Sequence, residues 1–229
     1  MKVGIIGIGH MGKNIAHRLA GHVELVLYNR TYAKAEALAN KIGARAATCL
    51  DELDDCELLL MVLPAKETLN CLQLFNERAK PVKLVNLATS VSVKDLQAAA
   101  VAPVQILCAK IISHAVEMDK GERPIVMVDE LPEDLSAKTI EAMSFVGDTI
   151  LGDTDTVGRV NSTAARLALE NCIELENRLK QAGIVDERII KQAMAQVAPG
   201  TMKACALGLL GPFALDIVEQ IKAERGLGR

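Results

Sequence analysis

The sequence predicts an α/β protein, a doubly wound parallel sheet followed by a smaller, all-helical C-terminal domain. Three observations predict it. Short apolar runs without in–out alternation recur along the first part of the chain, so those strands are covered on both faces. Segments of helical composition separate the runs. After Gly152 the apolar positions switch to a period of about 3.6 and no β-pattern returns.

The elements follow in order. Residues 2–7 form an apolar strand that stops at glycine, and a helix is expected from Met11 to Ala20. Residues 24–29 read as a strand. Ala33 to Lys41 reads as a helix closed by Gly43. Residues 57–64 form a buried strand ended by Pro64, then a helix covers 66–77, a strand 83–89 and a helix 93–100. Strands at 105–112 and 124–129, a helix at 132–145 and a short strand at 149–151 complete this part. Asp153 to Thr156 is polar and suits the cap of a long helix over 156–182, stopped by Gly183. On it Val160, Ala164, Ala168, Cys172, Leu175, Leu179 and Ala182 repeat at helical spacing. Asp186 caps a helix expected to end before Pro199-Gly200. A third stretch covers 202–210, and a last helix runs over 213–224 after Gly211-Pro212. The domains predicted are therefore 1–152 and 153–229.

Composition excludes several function classes. Half the residues are apolar but only 2% are aromatic, so the core is built from Leu, Ile, Val, Ala and Met. A net charge of −3 gives no global basic field for nucleic acid or an anionic membrane. The apolar runs are too short to span a bilayer. Met1 leads straight into the first apolar run without a basic region, which reads as a strand and not as a signal peptide. Cys49, Cys56, Cys71, Cys108, Cys172 and Cys205 form no CxxC pair, and none lies at zinc-ligand spacing. The expectation is a cytoplasmic protein with reduced thiols and no metal site.

Chemistry enters at Gly7-Ile8-Gly9-His10-Met11-Gly12, a GxGxxG turn between a strand and a helix. In that position the pattern is the fingerprint of a Rossmann dinucleotide-binding domain. Gly7 allows the tight turn, Gly9 the approach of a pyrophosphate, and Gly12 close helix–strand packing. The helix N-terminus, with His10 and Met11, offers amides and a positive dipole end to phosphates. The second strand ends in Asn29-Arg30-Thr31, where an NAD-selective site carries an acidic residue. Arg30 suits a 2′-phosphate, with Asn29 and Thr31 as neutral donors, so the expected cofactor is NADP(H). The missing carboxylate also argues against an S-adenosylmethionine enzyme. Leu63, Pro64, Ala65, Ala88 and Thr89 lie at strand ends, where α/β sheets bind ligands. Lys110 and His114 are candidates for proton transfer. Asn161, Ser162 and Arg166, near the start of the long helix, are candidates for holding substrate, although most polar helical residues are simply solvated.

These residues carry a resemblance. The opening Met1 to Gly12 resembles pyrroline-5-carboxylate reductases and the wider group related to 6-phosphogluconate and 3-hydroxyisobutyrate dehydrogenases. Asn29-Arg30-Thr31 is similar to the NADP-selecting turn of that group. Leu58 to Ala65 looks like its nicotinamide-contacting strand and loop, and the helical tail looks like its dimerisation domain. Two signatures depart from the pattern. Where pyrroline-5-carboxylate reductases carry SGSGP, this chain has Gly158 to Arg166 without it. Where hydroxyacid dehydrogenases carry a catalytic Lys and, four residues on, Asn, this chain has Arg166 and Glu170, with Asn171 one place later. The resemblance implies an NADP(H)-dependent oxidoreductase that reduces a small C=N or C=O substrate as a homodimer. A short 3-hydroxyacid dehydrogenase is the first alternative, and an NADP-binding sensor without turnover the second.

Overall fold

The computed structural model describes residues 1–78 and 80–226. In chain order it runs β1 (Lys2–Ile6), α1 (His10–Leu19), β2 (Glu24–Tyr28), α2 (Tyr32–Ile42), β3 (Arg45–Ala47), β4 (Leu58–Met61), α3 (Ala65–Arg78) and β5 (Val82–Asn86). There follow α4 (Val93–Ala99), β6 (Val104–Ile112), α5 (Ala115–Asp119), β7 (Ile125–Val128), α6 (Glu133–Met143) and β8 (Asp148–Leu151). The remainder is α7 (Asp155–Gln181), α8 (Glu187–Gln192), α9 (Ala198–Ala206) and α10 (Pro212–Glu224).

The strands form one sheet in the order β3-β2-β1-β4-β5-β6-β7-β8. Chain order reverses on either side of β1, which opens a crevice between β1 and β4 at the C-terminal strand ends. Both faces are covered, which explains the continuous apolar runs. On β4, Leu58 and Leu60 pack into one core with Ile15 and Leu19 of α1. Leu59 and Met61 pack into the other with Leu72 and Phe75 of α3.

Two expectations are corrected. The sheet is not wholly parallel, because β7 pairs antiparallel with β6, Lys110 opposite Met127, and β8 then runs parallel to β7. A parallel return needs a crossover that retraces the strand. The five-residue α5 spans only about 7.5 Å at 1.5 Å per residue, so it cannot carry the chain back along the nine residues of β6. Pro199-Gly200 does not end a helix either. The chain passes from α8 through a π-turn at Ala193–Val197 into α9, and Pro199 sits in the first turn of α9. Its missing N–H falls where the π-turn already interrupts the regular hydrogen-bond ladder, so the helical run passes the proline without ending. The short edge strand β3 and the one-turn helix α5 carry too few residues to show a period.

The chain divides into two compact units, Met1–Thr163 and Ala164–Arg229. The division falls inside α7. The first turns of α7 stay with the sheet because Val157 is fully buried and Asn161 Nδ2 donates to the Ile111 carbonyl at 2.9 Å. The second unit is wholly helical and carries many exposed apolar side chains. No helix among the described residues is long and apolar enough to cross a membrane.

Candidate active site

The glycine turn is built by close backbone approach. Gly7 takes φ +105°, and its amide donates to the Tyr28 carbonyl at 2.9 Å. A Cβ on Gly7 would lie 2.3 Å from the Val62 carbonyl oxygen, and one on Gly12 2.0 Å from that of Gly7. Gly9 differs: it caps α1, and nothing lies within 4 Å of where its Cβ would be. The first α1 amide to bond back is that of Lys13, to Gly9 at 2.9 Å. The amides of His10, Met11 and Gly12 therefore have no acceptor within the helix. An open surface at Gly9 under those amides is a cradle for an anionic group.

Asn29 braces this turn. Its Oδ1 accepts from the Ile8 amide at 3.1 Å and its Nδ2 donates to the Thr31 carbonyl at 3.0 Å. The Asn29 amide expected to serve a phosphate is thus engaged within the protein, because it has to fasten the end of β2 to the glycine turn. Arg30 is exposed and makes no ion pair or hydrogen bond among the described residues. Thr31 stands at the N-cap of α2 without a side-chain cap bond, which leaves its hydroxyl unspent. Lys34, in the first turn of α2, lines the groove beside Gly9 and His10, a contribution the sequence reading missed.

From the glycine turn a cleft of about 400 Å³ extends over the strand ends. It brings together Gly9, His10, Met11 and Gly12 with Leu63, Pro64 and Ala65 after β4, Ala88 and Thr89 after β5, and Asn161 of α7. Ser90 and Ser113 join them. Ser113 was missed, although its place just beyond an apolar strand was a usable signal. A Cβ on Gly158 would lie 3.1 Å from the Thr89 carbonyl oxygen, so glycine lets α7 close over the end of β5.

The other expected catalytic groups lie outside this cleft. Lys110 is fully buried within β6, and its Nζ donates to Asp155 Oδ1 at 2.7 Å. A buried ammonium needs a counter-charge, and this pairing removes Lys110 as a proton donor to the cleft. Near it, burial raises the Asp129 carboxyl above its ordinary range, and burial pushes the Cys108 thiol up to about 11. Asp129 Oδ2 accepts from the Cys108 amide at 2.8 Å. His114 is the N-cap of α5, its Nδ1 accepting from the Val116 amide at 3.3 Å, so that nitrogen is engaged in helix capping. Ser162 donates back to the Gly158 carbonyl at 2.6 Å, the usual fate of a helical serine. Arg166 belongs to the second unit and pairs with Glu170 at 2.8 Å.

A glycine turn that opens a helix at the switch point of a doubly wound sheet, continuous with a cleft over the strand ends, defines an NAD(P)-binding Rossmann oxidoreductase. Residues 2–120 match the family of the NAD binding domain of 6-phosphogluconate dehydrogenase, and the chain belongs to that family. No curated protein matches the chain in sequence. Among solved structures it is similar to a pyrroline-5-carboxylate reductase from Coxiella burnetii, at 11% identity over 98% of this chain and 88% of that one, TM-score 0.70. It is similar to a Plasmodium falciparum pyrroline carboxylate reductase with NADP bound, at 12% identity over 99% and 90%, TM-score 0.65. An imine reductase from Aspergillus terreus, in complex with NADPH4 and a dibenzazepine, is 18% identical over 91% and 75%, TM-score 0.64. At these identities the likeness establishes a shared fold.

Proposed function

We propose that this chain is an NADP(H)-dependent reductase of small cyclic imines. The observation that carries the reading is the chemistry of the cleft: the anion cradle at one end, and neutral hydrogen-bonding groups, Thr89, Ser90, Ser113 and Asn161, at the other. The residues present fit a dinucleotide. The amides of His10, Met11 and Gly12 and the open Gly9 suit a pyrophosphate, while Arg30, Thr31 and Lys34 suit a 2′-phosphate. When bound, the nicotinamide supplies a hydride. The chain's own part is to orient the substrate and exclude water. Leu63, Pro64 and Ala65 provide an apolar wall, and the hydroxyls and Asn161 Oδ1 provide hydrogen-bonding groups for the substrate, Asn161 Nδ2 being held by the Ile111 carbonyl. An imine protonated in solution brings its proton with it, so neutral side chains suffice. A ketone leaves as an alkoxide that needs an acid beside it, and that difference favours C=N over C=O. The imine and pyrroline carboxylate reductases among the structural neighbours support the same choice.

The reading includes a homodimer, because the helical unit exposes Leu169, Ile173, Val185, Leu209 and Phe213, each by more than 60%. It also includes a cytoplasmic location, since six free cysteines suit a reducing compartment. The test is NADPH oxidation, followed by absorbance, with five- and six-membered cyclic imines, with and without a carboxylate, beside 2-ketoacids. Imine turnover without ketoacid turnover is expected. Ketoacid turnover alone identifies a hydroxyacid dehydrogenase, and tight NADPH binding without any turnover identifies a sensor.

A further inference from the structure

β5 ends on a residue type that strands avoid. Asparagine is depleted from strands, yet Asn86 closes β5 and is fully buried. Its side-chain amide clamps the backbone of Ala88, two residues on. Asn86 Oδ1 accepts from the Ala88 amide at 2.9 Å, and Nδ2 donates to the Ala88 carbonyl at 3.2 Å. Nδ2 also donates to Cys108 Sγ, 3.4 Å away on the neighbouring strand β6. The acceptor and both donors of the carboxamide are thereby engaged. A satisfied polar group in the core specifies one local conformation, because any other leaves it unpaired away from water.

The segment held in this way lines the cleft. Leu87, Ala88, Thr89 and Ser90 all belong to its wall. The Leu87 amide ties the segment to β4, donating to the Met61 carbonyl at 3.0 Å. On the other side α7 comes close over the Thr89 carbonyl at Gly158. Both polar backbone groups of Ala88 are spent on a buried side chain, so the wall at Ala88 is apolar and fixed. A 2′-phosphate at Arg30, Thr31 and Lys34, with the pyrophosphate on the glycine turn, sends the other half of a dinucleotide along this cleft and past Ala88. A flat, uncharged ring is oriented by such a wall. We propose that Asn86 is a positioning residue for the nicotinamide half of the dinucleotide, acting through Ala88 and Thr89. This rests on the reading that a dinucleotide docks on the glycine turn.

Comparing two ligands separates positioning from folding. ADP-ribose 2′-phosphate carries every part of NADPH except the nicotinamide. The experiment is calorimetric titration of the full chain with both ligands, for the wild type, Asn86→Leu and Asn86→Ser, beside a thermal melt of each. Leucine keeps the bulk and removes the clamp. Serine can still accept from the Ala88 amide, more weakly, and so restores part of it. We expect Asn86→Leu to lose NADPH affinity roughly tenfold while ADP-ribose 2′-phosphate stays within about twofold of the wild type. Asn86→Ser should fall between the two for NADPH and match the wild type for the truncated ligand. If Asn86→Leu does not fold, Asn86→Ser carries the same comparison. A purely structural role lowers the melting temperature and leaves both affinities unchanged, or lowers both alike, and either result overturns the proposal. A wild type that prefers NADH is tested in the same way with NADH and ADP-ribose. A wild type that binds none of the four ligands overturns the underlying reading instead, and this inference with it.

Discussion

The Lys110 ammonium, fully buried in β6, lies 2.7 Å from the Asp155 carboxylate at the first residue of α7. The two partners are unequally exposed, at 1% and 38% of the side chain. Losing one partner therefore costs different amounts. Asp155→Ala leaves an unpaired cation in the core, whereas Lys110→Met leaves a carboxylate that water can reach. We expect Asp155→Ala to destabilise by about 1–3 kcal/mol after allowance for partial exposure, and Lys110→Met by less than about 1 kcal/mol. Urea unfolding of both variants measures the asymmetry, and equal losses would contradict it.

The glycines of the turn separate folding from binding. Gly12→Ala drives a Cβ into the Gly7 carbonyl oxygen, and should cost about 1–3 kcal/mol of stability as well as cofactor binding. Gly9→Ala meets nothing in the protein and should keep the wild-type melting temperature while losing NADPH affinity. Thermal melts with and without NADPH distinguish the two.

Cofactor choice should follow Arg30. The unpaired guanidinium is expected to contribute about 1.5–3 kcal/mol to a 2′-phosphate, as hydrogen bonds to charged groups do. Arg30→Ala should weaken NADPH roughly ten- to a hundredfold and leave NADH almost unchanged. Calorimetric titration of both cofactors measures this, and equal losses would remove Arg30 from the phosphate site.

Thiol reactivity should map burial. Cys71 and Cys108 are buried, and desolvation pushes both thiols up to about 11, so almost no thiolate exists at neutral pH. Cys49 is exposed. A disulfide reagent at pH 7.5 should modify Cys49 within minutes and reach Cys71 and Cys108 only on unfolding, as peptide mapping would reveal.

Assembly should depend on α10. Phe213, Ile217 and Ile221 recur every four residues on that helix and are all exposed. Light scattering should return about twice the 24.6 kDa chain mass, and Ile217→Asp should shift it toward the monomer. A wild-type monomer at micromolar concentration would exclude the dimer.

What could be read before the fold was seen divides along physical lines. The sheet, its covering helices and the glycine turn were legible because each is written in adjacent residues. Period, punctuation by Gly43 and Gly183, and the six positions from Gly7 to Gly12 act through local backbone geometry. The fates of polar side chains were not legible in the same way. Asn29 looked like a ligand donor until the turn at Ile8 was placed beside it. His114 and Ser162 turned out to serve their own helices.

By itself, then, the sequence determined a Rossmann sheet, a dinucleotide turn and an all-helical tail. Only the tertiary structure decided that Lys110 faces Asp155, that Asn86 reaches Cys108, and that β7 runs against β6. Those relations join residues far apart in the chain, and the helix α5 that sets the direction of β7 is a single turn. Local propensity says nothing about which distant charge will neutralise a buried one, since that is settled by which strand ends and helix starts the topology brings within a few ångströms.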